Sequence, residues 1–592
     1  MFTFHRMLTR CLLAGLLLPS LAAATRAEAQ SGADLAVQLI ERSGLQRGIC
    51  VVLGDDRSLA VEIAKASELQ VHCRQPNAEV VTRLRSEADA AGLDIHHVAI
   101  DHGPLNPLPY ADNVVDLLIA PVGLSEDLKG ISLEEIVRVL RPEGRALVGN
   151  WSDGAAAGLM AGLLKTWSDA PVEGLQVKVV TDDSGVFADL LTPPLAGAGD
   201  WSHWEHGPDN NPVSEDTVIK APYMTQFMAR PYYIAMPSIT TAAGGRTFLA
   251  IGHIAHHRRE WGGMNKLIAR NGYNGTVLWE RKLPEGYMVH RSAFIATKET
   301  FYMMDGSRCL LLDPQNGDPT GTIRIPGVTG EWKWMVMRDG VLYVLAGRQD
   351  AGAQTTKGDR AFGGWSWGDL SKGYYRRPRV PWGFGNTLVA WDIAEKKRLW
   401  LYRDDTEIDS RSMALTENGM FFYSPESHLG SLDLENGEIQ WKNEDREVLD
   451  LIEEPGKGLV STPGFRSACL AVATPGAVII QGQTRMNVVA ISTTQGYKLW
   501  TKKKFTNNPN AIYVDGQVIM GVGERGSHVA MDPITGEVIK DLGFRKTACT
   551  RLTACSDSFF VRGEGTLRYD RETGQVLIDG AQRPACNDGA LP

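Results

Sequence analysis

The sequence predicts two folded domains, a doubly wound α/β domain followed by an all-β propeller. Residues 35–195 alternate strand-like apolar runs with helical stretches, a pattern typical of a parallel sheet covered by helices. From residue 271 onward a turn motif recurs at intervals of roughly 40 residues, the spacing of four-stranded propeller blades. The length of 592 residues also exceeds what a single hydrophobic core usually holds.

Residues 1–29 have the pattern of a secretory signal peptide. Arg6 and Arg10 precede the apolar run Cys11–Ala24, and Ala27-Glu28-Ala29 supplies a small-residue cleavage site. The apolar run is too short for a good membrane span, and no other stretch approaches the roughly 18 apolar residues that a spanning helix needs. We therefore expect a periplasmic or secreted protein with no transmembrane segment in the mature chain.

Charge and cysteine content narrow the partners and the compartment. The formal net charge of -9 provides no basic field, so no nucleic-acid partner is expected. Removing Cys11 with the signal peptide leaves seven cysteines, an odd number. Cys549, Cys555 and Cys586 lie near the C-terminus, where two of them could form a disulfide. Burial as small apolar side chains is the alternative that the sequence leaves open.

The α/β domain, residues 35–195, is predicted from its alternating elements. Predicted strands are Gly48–Gly54, Leu69–Cys73, Ile95–Ile100, Val115–Ala120 and Ala146–Gly149, and predicted helices are Ser58–Lys65, Ala78–Ala91 and Leu133–Leu140. Two later apolar runs, Gln176–Val180 and Val186–Leu191, are predicted to form an antiparallel pair at the end of the sheet. This order of elements indicates a Rossmann-like domain.

Two segments of this domain resemble motifs of the class I S-adenosylmethionine-dependent methyltransferases. They are Leu108-Pro-Tyr-Ala-Asp-Asn-Val-Val-Asp116-Leu-Leu-Ile and Glu135-Ile-Val-Arg-Val-Leu-Arg-Pro-Glu-Gly144-Arg-Ala-Leu-Val. The resemblance covers roughly the whole domain. It implies a cofactor site for S-adenosylmethionine at the carboxyl ends of the first strands, and methyltransferase activity is one alternative function.

The cofactor site implied by that resemblance is degenerate. The family has a Gly-rich loop after its first strand, whereas this chain reads Leu53-Gly54-Asp55-Asp56-Arg57 with a single glycine. The second strand ends in Cys73-Arg74-Gln75, without the carboxylate that holds the ribose hydroxyls. What remains of the site is Gly54, Asp55 and Asp101, and Arg57 and Arg74 add positive charge where a cationic cofactor would bind. We therefore expect an inactive methyltransferase-like domain.

The propeller, residues 217–592, is predicted from a repeated turn motif. In its fullest form the motif is Asp433, Gly437 and Trp441: an acid or amide, a glycine four residues later and a large residue four beyond that. We expect a hairpin in which the acid caps the turn, the glycine adopts positive φ and the Trp packs against the next copy. The motif begins at residues 271, 313, 392, 433, 492, 532 and 570.

These copies define seven units, and the two long gaps between them hold insertions, Gln349–Gly385 and Glu444–Arg466. Because propellers close by pairing strands from the two ends of the chain, we expect an eighth blade shared between residues 583–592 and 201–232. Seven closed blades is the alternative.

The join, residues 196–216, contains a segment that resembles the lead-in of pyrroloquinoline-quinone-like propellers. It reads Trp201-Ser-His203-Trp-Glu205-His206-Gly-Pro-Asp209-Asn210-Asn211-Pro. Together with the repeats, this resemblance identifies residues 200–592 as a quinoprotein-like propeller. It implies pyrroloquinoline quinone as a candidate cofactor. The adjacent cysteine pair that many quinone-binding members use is missing, and no Glu/Asn/Asp set for calcium is found by motif.

Six of the thirteen histidines fall between residues 203 and 290. They are His203, His206, His253, His256, His257 and His290, and their His-x2-His spacings are those of metal ligands. A divalent metal is therefore the first candidate cofactor, ahead of pyrroloquinoline quinone and S-adenosylmethionine. The alternative is that these side chains hydrogen-bond to the backbone and line a wet channel.

The sequence favours an exported binding or scaffold protein that presents its propeller to a protein or glycan. The insertion Gln349–Gly385, with Trp365, Trp367, Tyr374 and Tyr375, would be the contact surface. A metal- or quinone-dependent oxidoreductase that uses the histidine-rich channel is the alternative, and no catalytic residue is identified by motif.

Overall fold

A computed structural model describes residues 32–580 except 56, 123–129, 152–156, 169–171, 183–184, 220–225, 232–233, 351, 359–381, 456–470, 483–486, 507–510, 524–525 and 548–549. The chain divides into two compact units. Unit 1 comprises Met1–Leu195 with Tyr273–Leu278, and unit 2 comprises Ala196–Gly272 with Trp279–Pro592. Within the described residues, no helix is long and apolar enough to span a membrane.

Unit 1 contains a seven-stranded sheet in the order β3-β2-β1-β4-β5-β7-β6. The strands are β1 Arg47–Leu53, β2 Glu68–Gln75, β3 Val98–His102, β4 Val115–Pro121, β5 Leu140–Asn150, β6 Gln176–Asp182 and β7 Gly185–Leu191. The helices are α1 over 32–43, α2 Leu59–Ala66, α3 Ala78–Ala90, α4 Leu133–Val139 and α5 Ala157–Ser168. Strands β1 to β5 are parallel, and β7 pairs antiparallel with both β5 and β6.

The pleat of β1 builds a core on each side of this sheet. Cys50 and Val52 belong to one buried cluster, whereas Val51 and Leu53 belong to the other. Consecutive residues of a strand point to opposite faces, so a continuous apolar strand requires cover on both. The predicted doubly wound domain and its antiparallel end pair are confirmed.

Unit 2 contains a propeller of seven sheets, each with four consecutive strands. The strands of blades 1 to 3 are β8 Met236–Ala243, β9 Arg246–Ala255, β10 Lys266–Asn271, β11 Val277–Lys282; β12 Phe294–Ala296, β13 Phe301–Asp305, β14 Arg308–Leu312, β15 Pro319–Ile323; β16 Glu331–Arg338, β17 Val341–Gly347, β19 Phe384–Asp392 and β20 Lys397–Asp409. Those of blades 4 to 7 are β21 Ala414–Leu415, β22 Gly419–Ser424, β23 His428–Asp433, β24 Ile439–Asn443; β25 Ala471–Thr474, β26 Ala477–Ile480, β27 Val488–Ser492, β28 Lys498–Lys502; β29 Ile512–Val514, β30 Gln517–Gly521, β31 Ser527–Met531, β32 Val538–Arg545; β33 Thr553–Ala554, β34 Ser558–Arg562, β35 Thr566–Asp570 and β36 Val576–Asp579.

Three shorter elements accompany the blades. Strand β18, Thr356–Lys357, adds a fifth, parallel strand to blade 1 by pairing with β9. Helix α6, Arg446–Ile452, lies in the second predicted insertion. Two 3-10 helices, Arg258–Gly263 and Ser410–Ser412, precede β10 and β21.

The expected eighth blade is wrong, and the alternative of seven blades is confirmed. Residues 583–592 lie outside the described residues, and of residues 201–232 the described part adds no strand to any sheet. The physical reason is that the lead-in forms hydrogen bonds with the inner strands of the blades, as described below, and therefore does not pair as a strand of an eighth blade.

The predicted contact between the motif Trp and the next blade is present at four junctions. The indole Nε1 of Trp400, in blade 3, donates to the carbonyl of Leu434 in the turn of blade 4, at 2.8 Å. Gly437 of that turn has φ 73°, and a Cβ atom there would lie 2.6 Å from the Trp400 ring. Trp279, Trp441 and Trp500 repeat the arrangement on the turns that hold Gly317, Gly496 and Gly536.

Residues Trp201–Ser214 form a belt that runs once around the inner strands and meets the blades in chain order. Trp201 and Ala242 exchange two backbone hydrogen bonds in blade 1. Successive belt residues then bond to Ala296, Met337, Leu415, Ala473, Tyr513 and Ala554, on the innermost strands of blades 2 to 7. Each of these residues lies in or near the last part of its strand, so the belt lies at one end of the central channel.

Two side chains strengthen the belt. The amide Nδ2 of Asn210 donates to the carbonyls of Met413, at 2.7 Å, and Ala471, at 2.8 Å, and thereby joins blades 4 and 5. Arg551, at the start of blade 7, forms an ion pair of 2.7 Å with Glu205 of the belt. Its guanidinium also lies over the Trp204 ring, 4.6 Å from the centroid. The last blade is therefore tied to the beginning of the belt.

A buried polar network joins blades 3 and 4. The carboxylate of Asp404 accepts hydrogen bonds from Tyr402 Oη at 2.8 Å and from the backbone N–H of Thr406 at 2.9 Å, and it contacts His428 Nε2 at 2.9 Å. The Nδ1 atom of His428 lies 2.9 Å from Ser427 Oγ. Asp404 and His428 are buried as a pair, with 2% and 1% of their side-chain areas exposed.

Candidate functional site

In unit 1, Gly54 and Asp55, the first two residues of the predicted cofactor site, form hydrogen bonds with the surrounding backbone. Gly54 adopts φ 70° and its N–H donates to the carbonyl of Arg74. The buried carboxylate of Asp55 accepts from the backbone N–H groups of Arg57, at 2.8 Å, and Ala60, at 2.9 Å. Because both oxygens of Asp55 hold the loop that leads into α2, this side chain has a structural role.

Asp101, the third predicted residue, lies at the open end of β3 among cationic and imidazole groups. It is half exposed and contacts His72 Nε2 at 3.0 Å and the Arg85 guanidinium at 3.3 Å. The guanidinium of Arg74 lies directly on Gly103, since a Cβ at Gly103 would fall 1.9 Å from it. The end of β2, where the family places a carboxylate, therefore carries a fixed positive charge.

The predicted metal ligands His203 and His206 belong to the belt and have partners there. His203 Nε2 accepts from the backbone N–H of Met337 at 3.1 Å, and its Nδ1 lies 2.8 Å from Ser202 Oγ. Burial and the neighbouring His206 lower the pKa of His203 to about 3, so its ring is neutral. His206 pairs with Glu215 at 3.1 Å. Both nitrogens of His203 are thus committed to structural contacts.

The remaining histidines lie in blade 1 and beside blade 2. His253 is buried in β9, and the backbone N–H groups of His256 and His257 donate to the Glu260 carboxylate at 2.5 and 3.1 Å. His290 precedes β12 and packs its edge against Trp382, with ring centroids 5.0 Å apart. Among the described residues, no three His, Cys, Asp or Glu side chains come together in a way that could hold a metal. The metal site stays a prediction without geometric support.

His290 does line a cavity of about 130 Å³ between blades 2 and 3. Its described lining comes from the segment before β12, the start of β16 and the residues that flank β17 and β19: Gly286, Tyr287, Met288, His290, Met304, Gly306, Glu331, Trp332, Lys333, Asp350, Gly352 and Trp382. The cavity opens to solvent, and the empty space in and around it, with open solvent included, is about 580 Å³. Since β16 begins at this cavity and ends at the belt, the two features lie at opposite ends of the inner strand.

A cluster of charged side chains lines this cavity. Lys333, with 2% of its side chain exposed, lies 2.8 Å from Asp350 Oδ2 and 3.1 Å from Glu331 Oε2. Burial raises the pKa of Asp350, while Lys333 and the N–H of Gly383 act in the opposite direction. Burial, with the nearby cations Arg291 and Lys333, lowers the pKa of His290 to about 3. At neutral pH the imidazole is therefore uncharged.

Two buried polar atoms at the cavity have no hydrogen-bond partner among the described residues: Asp350 Oδ1 and Trp332 Nε1. Asp350 exposes 9% of its side chain and Trp332 is 4% exposed. No motif in the sequence indicates the cluster of Lys333, Asp350 and Glu331. The available signal was Lys333 in the strand Glu331-Trp-Lys-Trp-Met-Val, because a lysine inside a buried apolar strand requires a paired acid.

The predicted contact surface in Gln349–Gly385 falls mostly on residues 359–381, which lie outside the described residues. An apolar surface is described elsewhere, on the outermost strands of blades 6 and 7. We call it the outer apolar strip. Its members are exposed by 44–55%: Val538, Ile539, Val576, Leu577 and Ile578.

Four described cysteines, Cys50, Cys73, Cys309 and Cys555, are buried free thiols. Cys549 and Cys586 lie outside the described residues, so the pairing predicted near the C-terminus stays a prediction. Burial of Cys555 agrees with the alternative of a small apolar side chain.

Residues 380–503 match the model of a protein family described as outer membrane protein assembly factor BamB. These residues begin within blade 3 and reach the end of blade 5, so the propeller carries BamB-like repeats there. The resemblance to quinoprotein-like propellers predicted from the turn motif is confirmed by this match. A comparison with curated proteins gave no match.

Solved structures similar to the chain include both expected folds. A putative S-adenosyl-L-methionine-dependent methyltransferase from Methanococcus maripaludis is 16% identical, with 30% of this chain and 92% of that chain covered and a TM-score of 0.24. BamB from Moraxella catarrhalis is 13% identical over 66% of this chain and 94% of that chain, with a TM-score of 0.34. A quinohemoprotein alcohol dehydrogenase from Pseudomonas putida HK5 is 10% identical over 66% and 73%, with a TM-score of 0.39. All three scores are below 0.5, so the fold rests on the strand orders given above.

Proposed function

We propose that this chain is an exported propeller protein that binds a protein partner, and that its N-terminal unit is a methyltransferase fold without methyltransferase activity. The observation that carries the proposal is the outer apolar strip of blades 6 and 7. Exposed apolar side chains grouped on the outermost strands of a folded protein mark interaction surfaces.

The strip departs from the rule that blades 1, 3, 4 and 5 follow. Ile578 occupies the position of the motif Trp in blade 7 and is 53% exposed, whereas Trp279 and Trp500 at the same position are 5% and 8% exposed. Exposed apolar side chains contribute nothing to the packing between blades. Their burial against a partner would contribute about 25 cal/mol per Å² of apolar surface.

The geometry of unit 1 supports the loss of methyltransferase activity. Asp55 is committed to the loop before α2. Arg74 occupies the end of β2, where the family positions a ribose-binding acid, and its guanidinium lies on Gly103. S-adenosylmethionine is itself a cation at its sulfur, so the positive charge of Arg74 opposes its binding. These residues do not fit the cofactor.

The quinone alternative has less support than partner binding. Within the described residues, no group of three His, Cys, Asp or Glu side chains that could hold a metal is present, and the two acids at the cavity, Glu331 and Asp350, outnumber the single cation Lys333 and repel an anionic quinone. The described residues therefore do not fit pyrroloquinoline quinone. An enzyme that uses His253, His256 or His257 stays an alternative from sequence alone.

The BamB-like match supports both the compartment and the partner class. The matching family is named for outer membrane protein assembly, which requires contact with other proteins outside the cytoplasm. The signal peptide predicted over residues 1–29 agrees with export and lies outside the described residues.

The test is quantitative recovery of a partner from the native exported compartment after cross-linking. The variant Ile539→Glu/Ile578→Glu places two charges in the outer apolar strip and should abolish the recovery of a stoichiometric partner. Ile439→Glu is the matched control, since Ile439 also lies on an outermost strand and is 39% exposed. Calorimetric titration with S-adenosylmethionine should give no binding heat.

Equal recovery with both variants would contradict the proposed surface. Micromolar binding of S-adenosylmethionine would contradict the proposed loss of methyltransferase activity and would leave the partner proposal untouched.

A further inference from the structure

We propose that the cavity between blades 2 and 3 binds one sugar ring, a neutral ligand whose hydroxyl groups both donate and accept hydrogen bonds. The inference gives a specific site to the glycan alternative of the sequence analysis. It rests on residues that the outer apolar strip does not include, so either proposal can fail alone.

The unsatisfied atoms at the cavity define what the ligand must offer. Asp350 Oδ1 is a buried acceptor and Trp332 Nε1 is a buried donor, and neither has a partner among the described residues. Leaving such groups unpaired in a buried site is unfavourable, because they have lost their hydrogen bonds to water. The ligand must therefore present a donor and an acceptor to the same small space. A hydroxyl group supplies both.

Charged ligands satisfy only half of this requirement. An ammonium group donates to Asp350 but has no acceptor for the Trp332 N–H. An anion accepts from Trp332 but meets the carboxylates of Asp350 and Glu331. Those acids already neutralise Lys333 at 2.8 and 3.1 Å, so Lys333 is not available as an anion-binding cation.

The walls of the cavity suit one edge of a pyranose ring. Trp332 and Trp382 line it with aromatic side chains, and the neutral His290 adds one donor and one acceptor. The volume of about 130 Å³ is slightly below the ~150 Å³ of an engineered protein cavity that holds benzene. One edge of the sugar therefore enters the cavity, and the rest of the ring lies at its open side.

The cavity is held by rigid elements. Lys333 and Trp332 belong to β16, whose other end is hydrogen-bonded to the belt through His203. The backbone N–H of Trp332 donates to the carbonyl of Gly306 in blade 2, at 2.8 Å. A site held by two blades and anchored at both ends of a strand is already formed before the ligand binds, which lowers the entropic cost of binding.

The test titrates the full mature protein with D-glucose, D-galactose, D-mannose and N-acetylglucosamine, using ligand-observed NMR and calorimetry. We expect saturable binding of at least one sugar with a Kd of roughly 0.1–10 mM. Trp332→Phe removes the indole donor and should weaken binding about tenfold. Trp334→Phe makes the same change two residues along β16, at a buried residue outside the cavity, and should leave the affinity unchanged.

Thermal unfolding of both variants shows whether they remain folded, and Asp350→Asn serves as a second cavity variant if Trp332→Phe does not fold. The proposal is overturned if no sugar binds up to about 50 mM, which would leave an ordered water as the partner of Asp350 and Trp332. It is also overturned if Trp332→Phe and Trp334→Phe bind equally well, or if tetramethylammonium or pyrroloquinoline quinone binds and the sugars do not.

Discussion

At the scale of single residues, buried polar side chains join blades at positions that the turn motif does not specify. Asp404 and His428 lie in different blades and face each other at 2.9 Å. No spacing in the sequence indicates this pair, because partners in different hairpins meet only after the blades have packed. Lys333 and Asp350 lie at the two ends of the hairpin formed by β16 and β17 in blade 3, and Asp350 belongs to an insertion that the sequence identified only by its composition.

The Asp404 carboxylate should be a strong local contributor to stability. Replacing it by Asn removes the charge that His428, Tyr402 and Thr406 stabilise, and should lower the free energy of unfolding by about 3 kcal/mol. Urea denaturation monitored by tryptophan fluorescence measures this loss. Asp405→Asn is the matched control, because Asp405 is the exposed neighbour, and it should change stability by less than about 0.5 kcal/mol.

The Asp404 effect should also depend on pH. Burial opposes ionisation, but the hydrogen bonds from His428, Thr406 and Tyr402 outweigh it and lower the pKa of Asp404. A carboxylate with a lowered folded-state pKa stabilises the fold above the unfolded value of about 3.9, and this contribution is lost as the pH falls below it. The stability difference between the native chain and Asp404→Asn should thus shrink as the pH falls below about 4. A difference that grows on acidification would contradict this assignment.

At the scale of elements, the turn motif specified its own contacts correctly. The acid caps the turn, as in Asp433, whose carboxylate accepts from the N–H of Glu435 at 2.8 Å. The Trp of one blade lies on the glycine turn of the next. Blade 2 lacks the Trp, and the following turn has Lys396 at φ 52° in place of the glycine. Blade 6 also lacks the Trp, with Lys540 at that position, but the following turn keeps Gly574 at φ 69°.

The glycine of the turn should be more sensitive to substitution than positive φ alone requires. Gly437→Ala places a methyl group 2.6 Å from the Trp400 ring and should lower the free energy of unfolding by about 2–3 kcal/mol. Gly340 has a similar φ of 77° with open space around its Cβ position, so Gly340→Ala should cost only about 1 kcal/mol. Denaturant unfolding of the two variants measures the difference, and equal losses would show that the Trp contact is unimportant.

At the scale of the whole molecule, the belt is what the sequence could not predict. The Asn210-Asn211-Pro212 run indicated a lead-in of a known kind, but a run of polar residues carries no periodicity from which its path could be inferred. Its hydrogen bonds go to strands as far as 347 residues away in the chain, as with Arg551 and the Trp204 carbonyl. The eighth blade was expected because propellers commonly close by pairing strands from the two ends of the chain, whereas the belt segment forms no blade strand.

Removing one belt side chain should loosen two blades together. Asn210→Ala leaves the carbonyls of Met413 and Ala471 without their shared donor and should destabilise the propeller by about 2–4 kcal/mol. Hydrogen exchange followed by mass spectrometry should show faster exchange in β21 and β25 than in β33. Asn436→Ala, at an exposed turn of blade 4, is the control. Uniform acceleration in all seven blades would show that the belt acts on global stability alone.

The belt also limits how this architecture can change in evolution. Its fourteen residues, Trp201–Ser214, meet seven inner strands in order, an allowance of about two residues for each blade. Duplication of one blade in the gene would enlarge the ring but not the loop of chain that encircles its channel, and one strand would be left without its backbone partner. A change in blade number would therefore need a matching insertion in the belt, which precedes blade 1 in the chain. In such chains the sequence of a blade can diverge from the motif, as in blades 6 and 7, more readily than the number of blades can change.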